Sequence, residues 1–333
     1  MSVSSKIQWT EATWNPVRGC SRISQGCVNC YAERQAARFC KSSGDYEGAF
    51  RKPAPFEGFV EITNGHPRWT GKVELIPEML DIPGRRKKPT LYFVNSMSDL
   101  FHESLPDEAI DRVFAVMALC QQHTFQILTK RSGRMRKYCS DPELQDRLTD
   151  LYGQEGWQVI LPLPNVWLGV SVEDQANKVR IEELRATPSA VRFISFEPLL
   201  EDLSDLNLRG IGLAIWGGES GPGARPCDVA WIRHGMRQAR RDGCLNFVKQ
   251  VGARPIIAAC RQNHYDWGDE IGRKARFSAT DKMHESTEMW RIHLKDRKGS
   301  DMDELAREFR VRQMPRISHR GQILHRCVNG GNQ

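Results

Sequence analysis

The sequence predicts an α/β protein built as a full or partial (β/α) barrel, and three observations predict it. Strand-length apolar runs recur along the middle of the chain, helix-like stretches lie between them, and polar residues gather where the runs end. The runs are LYFVNS (91–96), FQILTK (125–130), VWLGVS (166–171), VRFISF (191–196), GLAIWG (212–217) and LNFVKQ (245–250). They are rich in β-branched and aromatic residues and apolar on both faces, as parallel strands covered on both sides must be. A doubly wound open sheet is the alternative arrangement.

Taken in chain order, TWNPVRG (13–19) is the first strand and YAERQAARF, from Tyr31, the first helix. Residues 40–90 carry many Gly and Pro and read as an irregular insertion, a lid or a wall. The stretch PDEAIDRVFAVMALCQQ (106–122) opens on an acidic turn that suits the positive end of a helix, and DVAWIRHGMRQARRDG (228–243) closes on Gly243, a helix stop. Residues 1–255 then form the barrel domain and 256–333 a C-terminal extension. The extension has Trp267, Trp290, a late helix near DMDELAREF (301–309) and a polar tail, RCVNGGNQ, expected to fray.

A barrel places its site at the C-terminal ends of its strands. The run-outs there are NSMSDLFHE (95–103), TKRSGR (129–134), SVEDQ (171–175), EPLLED (197–202), GGESGPGARP (217–226) and KQVGARP (249–255). Loops after strands are polar in any case, but Glu197 and Glu219 follow abruptly on ISF and IWGG. A carboxylate at a buried strand end needs a partner or a ligand to offset its desolvation. Both are therefore candidate catalytic residues, with an ion pair to Arg225 the structural alternative for Glu219. The paired Gly217 and Gly218 would let a ligand approach the backbone.

No run of about 18 apolar residues exists to span a bilayer, and the N-terminus lacks the apolar core of a signal peptide, so a cytoplasmic protein is expected. In a reducing compartment the ten cysteines are expected to be mostly free thiols. Three of them, Cys20, Cys27 and Cys30, fall in CSRISQGCVNC, spaced C-x6-C-x2-C in the loop after the first strand. Three readings compete. A structural zinc needs a fourth ligand, Cys40 or a histidine, and Cys40 lies ten residues on, at the far end of a helix. A redox pair of Cys27 and Cys30 leaves Cys20 unexplained. An iron–sulfur cluster on three thiolates leaves one iron open for a substrate or cofactor.

The elements GCSRISQGCVNCYAE, LYFVNSMSDLFHE, FQILTKR, VWLGVSVED, RFISFEPLLE, WGGESGPGARP and NFVKQVG, in this order, resemble a phage-associated, three-cysteine-motif family of radical-SAM-like proteins. The resemblance covers about residues 6–255, and more loosely to about 316. The GC-x-x-C-Y core is more distantly similar to the spore photoproduct lyase branch of radical SAM enzymes. The spacing departs from the usual C-x3-C-x2-C of those enzymes in having six residues, in place of three, between the first two cysteines. The resemblance implies a partial barrel of the radical SAM type. It also implies a [4Fe–4S] cluster on Cys20, Cys27 and Cys30, and S-adenosylmethionine bound to the open iron and cleaved reductively by one electron from an external donor.

On that resemblance, and on strand order, Asn95, Ser96 and Asp99 are candidates for the amino group of S-adenosylmethionine, Lys130 for its carboxylate, and Ser171 and Glu173 for its ribose. Asp99 as a helix cap and Lys130 as a surface residue are the structural alternatives. Cys227, just beyond the sixth strand end, is the candidate hydrogen donor to a substrate radical, against a packing role. The net charge of +7 and the run KRSGRMRK (130–137) suit a DNA or RNA substrate, with Arg131, Arg134, Arg136 and Lys137 on its phosphates. Base modification or lesion repair is the chemistry expected there. The other readings are a radical SAM enzyme acting on a small molecule or peptide, and an iron–sulfur or zinc interaction protein that cleaves nothing.

Overall fold

A computed structural model describes residues 5, 7–40, 54–151, 158–260, 276–284, 287–293, 296, 298, 300, 301, 309–317 and 323–324. The late helix expected near 301–309 and the polar tail fall almost wholly outside the described residues, and Trp267 falls outside them too.

The chain alternates strand and helix: β1 (Ala12–Trp14), α1 (Tyr31–Ala37), β2 (Leu91–Val94), α2 (Asp107–Leu119), β3 (Thr124–Thr129), α3 (Ser132–Cys139), α4 (Leu144–Asp150), β4 (Val166–Ser171), α5 (Val179–Ala186), β5 (Val191–Phe196), β6 (Leu213–Gly217), α6 (Val229–Arg241) and β7 (Leu245–Gln250). These seven strands make one sheet whose order is the chain order. The pairs β1/β2, β2/β3, β3/β4, β5/β6 and β6/β7 are parallel. A doubly wound sheet reverses its strand order at a switch point. This order has no reversal, so the mixed α/β fold is consistent with a partial (β/α) barrel. One connection lacks a helix: from β5 to β6 the chain runs as an irregular segment over 197–212.

The chain divides into two compact units, Met1–Val170 with Ala186–Val191, and Ser171–Arg185 with Arg192–Gln333. In the first, α2 buries Ile110, Val113, Phe114 and Met117, the three-and-four spacing of an amphipathic face. Trp14 and Phe125 pack with ring centroids 5.5 Å apart, and Tyr92 stacks on Phe125 at 5.6 Å. The insertion is more regular than its composition suggests. Val60–Thr63 pairs antiparallel with His66–Trp69 across Asn64-Gly65, both at positive φ, as a two-residue hairpin turn demands. Glu74–Leu75 pairs with Val17–Arg18 next to the cysteine loop.

In the second unit, α6 is capped by Asp228, whose carboxylate accepts from the Ala230 N–H at 2.8 Å, and it buries Val229, Ile232, Met236 and Ala239. Trp216 stacks on Phe196 at 4.2 Å. Among the described residues of the C-terminal region, Pro255–Cys260, Arg276–His284 and Thr287–His293 form a sheet with Cys227–Asp228. Among the described residues no helix is long and apolar enough to cross a membrane.

Candidate metal centre and strand-end carboxylates

The cysteine loop is shaped by the chain around it. Gly19 sits at φ +87°, and a Cβ there would lie 1.9 Å from the Lys72 carbonyl oxygen, so only glycine turns the chain into Cys20. Gly19 bridges Ser98 beyond β2, and the Ser98 hydroxyl donates to the Val17 carbonyl at 2.8 Å. Behind the loop, Arg22 grips the buried Glu33 of α1 with two hydrogen bonds, one of 2.8 Å from Nε, and Glu33 also accepts the Trp69 N–H at 3.2 Å. The carboxylate is 1% exposed, so this clasp joins the loop, α1 and the insertion hairpin through one charged group.

Cys20, Cys27 and Cys30 are free thiols, each partly exposed. Burial pushes the Cys20 thiol up to about 12, helped by the Asp99 charge, opposed by Arg131, and raised further by Cys30 and Cys27, so the three thiols feel one another. Burial also raises Cys30, against the backbone N–H groups of Glu33 and Ala32. Cys40 stands apart, its Sγ donating to the Ala37 carbonyl at 3.0 Å. Among the described residues no three His, Cys, Asp or Glu side chains are drawn closely enough to hold a single ion. Three free thiols in one loop suit, in number and in chemistry, a cluster with one open iron.

Asp99 is the hub of the strand ends in this unit. One carboxylate oxygen accepts from the Phe101 N–H at 3.0 Å and from the Thr129 hydroxyl at 2.7 Å; the other accepts from the Lys130 N–H at 3.2 Å and Arg131 Nη1 at 3.1 Å. Asn95, at φ +58°, accepts the Val17 N–H at 3.3 Å, and its buried Nδ2 has no hydrogen-bond partner. The Ser96 hydroxyl donates to Asn15 at 3.1 Å. Lys130 is half-buried.

The basic run divides sharply. Arg131 is buried, and Arg134 donates to the carbonyls of His102 and Leu105 and to Asp107 at 2.7 Å, tying down the loop before α2. Arg136 and Lys137 are exposed. His102 accepts the Ser104 N–H on Nδ1 at 3.1 Å, so its neutral ring carries the proton on Nε2 and donates to the Ser21 hydroxyl at 2.8 Å. Burial, with Arg131 nearby, holds its pKa below the ordinary histidine value. Sequence reasoning missed His102 and the clasp residues Arg22 and Glu33. Closeness to the thiols in the sequence could have pointed to Arg22 and Glu33, and the strand-end run-out NSMSDLFHE to His102.

In the second unit three carboxylates are each paired. Glu173, fully buried, accepts from Arg180 at 2.9 Å, and the same guanidinium nitrogen reaches the Ser171 carbonyl at 2.8 Å. Glu219 is held in a fork by Arg225, with bonds of 2.6 and 3.0 Å and the Arg225 N–H at 2.8 Å. Glu197 lies 3.0 Å from Lys249 Nζ and accepts from the Ser195 hydroxyl at 3.2 Å. The space beside the glycine pair is filled by the chain itself. A Cβ on Gly217 would lie 2.3 Å from a Glu197 carboxylate oxygen, and one on Gly218 would lie 2.4 Å from the Val251 carbonyl. Cys227 is fully buried at the start of α6, its thiol pKa raised by desolvation.

No curated protein matches the chain. A solved structure described as spore photoproduct lyase complexed with dinucleoside spore photoproduct is similar at 8% identity and a TM-score of 0.35, over 88% of this chain and 71% of that one. A family model matches residues 4–303, and the chain accordingly belongs to the family described as protein of unknown function (DUF5131).

Proposed function

We propose that this chain is an iron–sulfur enzyme of the radical S-adenosylmethionine kind, with a [4Fe–4S] cluster on Cys20, Cys27 and Cys30. The reading rests on the triplet itself: three free thiols spaced C-x6-C-x2-C in one loop, with Cys40 turned onto the Ala37 carbonyl. When bound, the group supplies an open iron and one electron for the reductive cleavage of S-adenosylmethionine.

The chain's own residues hold and surround it. Gly19 and the Arg22–Glu33 clasp fix the loop, while Asp99 ties the strand ends beneath it. The unpaired Asn95 Nδ2 is a buried donor available to a polar ligand at the end of β2, and Lys130 is the cation at the end of β3. The reading calls for an external one-electron donor. For a nucleic-acid substrate, phosphate contacts fall to Arg136 and Lys137, the basic side chains of α3 that face solvent.

The test is anaerobic reconstitution with iron and sulfide, then reduction with dithionite in the presence of S-adenosylmethionine. We expect about four irons per chain, with methionine and 5′-deoxyadenosine formed even without substrate, and no iron after replacing the three cysteines by alanine. Stoichiometric zinc without labile sulfide refutes the reading. A full cluster that neither cleaves S-adenosylmethionine nor changes its EPR spectrum on adding it leaves an iron–sulfur interaction protein.

A further inference from the structure

Arg131 sits where a phosphate contact was expected, yet its side chain is 3% exposed and turned into the protein. All its donors are directed at the cysteine loop and at two carboxylates. Nε donates to Glu103 at 2.7 Å, Nη1 to Asp99 at 3.1 Å and to the Cys20 sulfur at 3.8 Å, and Nη2 to the Ser21 carbonyl at 3.2 Å and hydroxyl at 2.8 Å. A guanidinium keeps its proton in a protein, so Arg131 is a buried cation among these partners.

We infer that Arg131 is a positioning residue that sets the reduction potential of the metal centre through its hydrogen bond to Cys20. The inference rests on the iron–sulfur reading given above. Potentials of such clusters follow the hydrogen bonds to their sulfurs, the local net charge and solvent exposure. A buried cation donating to a ligating sulfur stabilises the state with the extra electron. Two carboxylates oppose it, and they differ: the Asp99 side chain is 8% exposed, whereas that of Glu103 is 63% exposed. The balance can therefore be moved in either direction. Arg131→Gln removes the cation and leaves Asp99 facing the thiolate, so reduction becomes harder. Glu103→Gln removes an opposing negative charge at the surface and keeps the cation, so reduction becomes easier. A guanidinium that only ties down the loop would change iron retention or stability and leave the potential of the remaining cluster where it was.

Wild type, Arg131→Gln and Glu103→Gln are reconstituted anaerobically, assayed for iron and sulfide, and titrated potentiometrically with dithionite as the electron source, read by EPR without S-adenosylmethionine. We expect Arg131→Gln to weaken the one-electron reduction equilibrium at least tenfold, about 59 mV more negative, and Glu103→Gln to shift the other way by less. Wild-type potentials in both variants, or shifts of the same sign, overturn the inference. Should Arg131→Gln fail to keep a cluster, Glu103→Gln decides alone: a positive shift supports the inference and an unmoved potential overturns it. A wild-type protein that takes up no iron refutes the functional reading, whereas a wild-type cluster with unmoved variants refutes only the role of Arg131.

Discussion

Asp99→Asn separates a carboxylate that serves the fold from one that waits for a ligand. The substitution keeps the shape and keeps one oxygen for the Phe101 N–H and the Thr129 hydroxyl. At the other oxygen it puts an NH2 group against the Lys130 N–H at 3.2 Å and Arg131 Nη1 at 3.1 Å, donor against donor. A charged hydrogen bond is worth about 1.5–3 kcal/mol, and a buried backbone donor left unsatisfied costs about 1–3 kcal/mol. Arg131 then keeps only the exposed Glu103 as a carboxylate partner. Together these give a loss of about 3–5 kcal/mol, in the range for breaking a buried ion pair. Urea unfolding followed by tryptophan fluorescence, with slopes compared between wild type and variant, measures it. A loss under about 1 kcal/mol, accompanied by weaker binding of S-adenosylmethionine, would refute the reasoning and return Asp99 to the ligand.

Two further outcomes follow from the second unit. Gly217→Ala drives a Cβ into the Glu197 carboxylate, whose Cδ and Cγ also lie 2.9 Å from it, so the side chain must swing off Lys249. The expected cost, by urea unfolding, is about 1–3 kcal/mol, and no cost would mean that the carboxylate is free to move. Asp242 is held below the usual aspartate range, first by its hydrogen bond from Arg241, and it accepts the Leu208 N–H at 2.8 Å. A depressed carboxylate stabilises the fold fully above its unfolded value, about 3.9, and loses that contribution as pH falls through the folded value. Asp242→Asn should flatten the acid limb of stability against pH below about 4, and an unchanged limb would exclude Asp242 from it.

The sheet was legible because its strands are apolar on both faces. The run LNFVKQ is β7 as observed, and the helix expected over 106–122 forms over Asp107–Leu119. The insertion hairpin was equally legible but overlooked among the Gly and Pro residues around it, since Asn64-Gly65 between alternating residues is a strong hairpin signal. The missing helix between β5 and β6 had no such mark, because polar residues and leucines alternate there without a helical or strand period. Around the thiols, residue types could be read but their partners could not. A sequence gives a loop arginine as a cation. Only the folded chain separates Arg131, spent on Cys20 and Asp99, from Arg136 in solvent.

The clasp of Arg22, Glu33 and Trp69 bears on how a metal would arrive. In a small zinc domain the metal is the core, and without it the chain unfolds. Here the loop that carries the thiols is fastened by a carboxylate, a guanidinium, a backbone amide and a glycine that no metal touches. The loop is therefore held by the fold around it, so the proposed cluster would load onto partly exposed thiols without having to organise the domain.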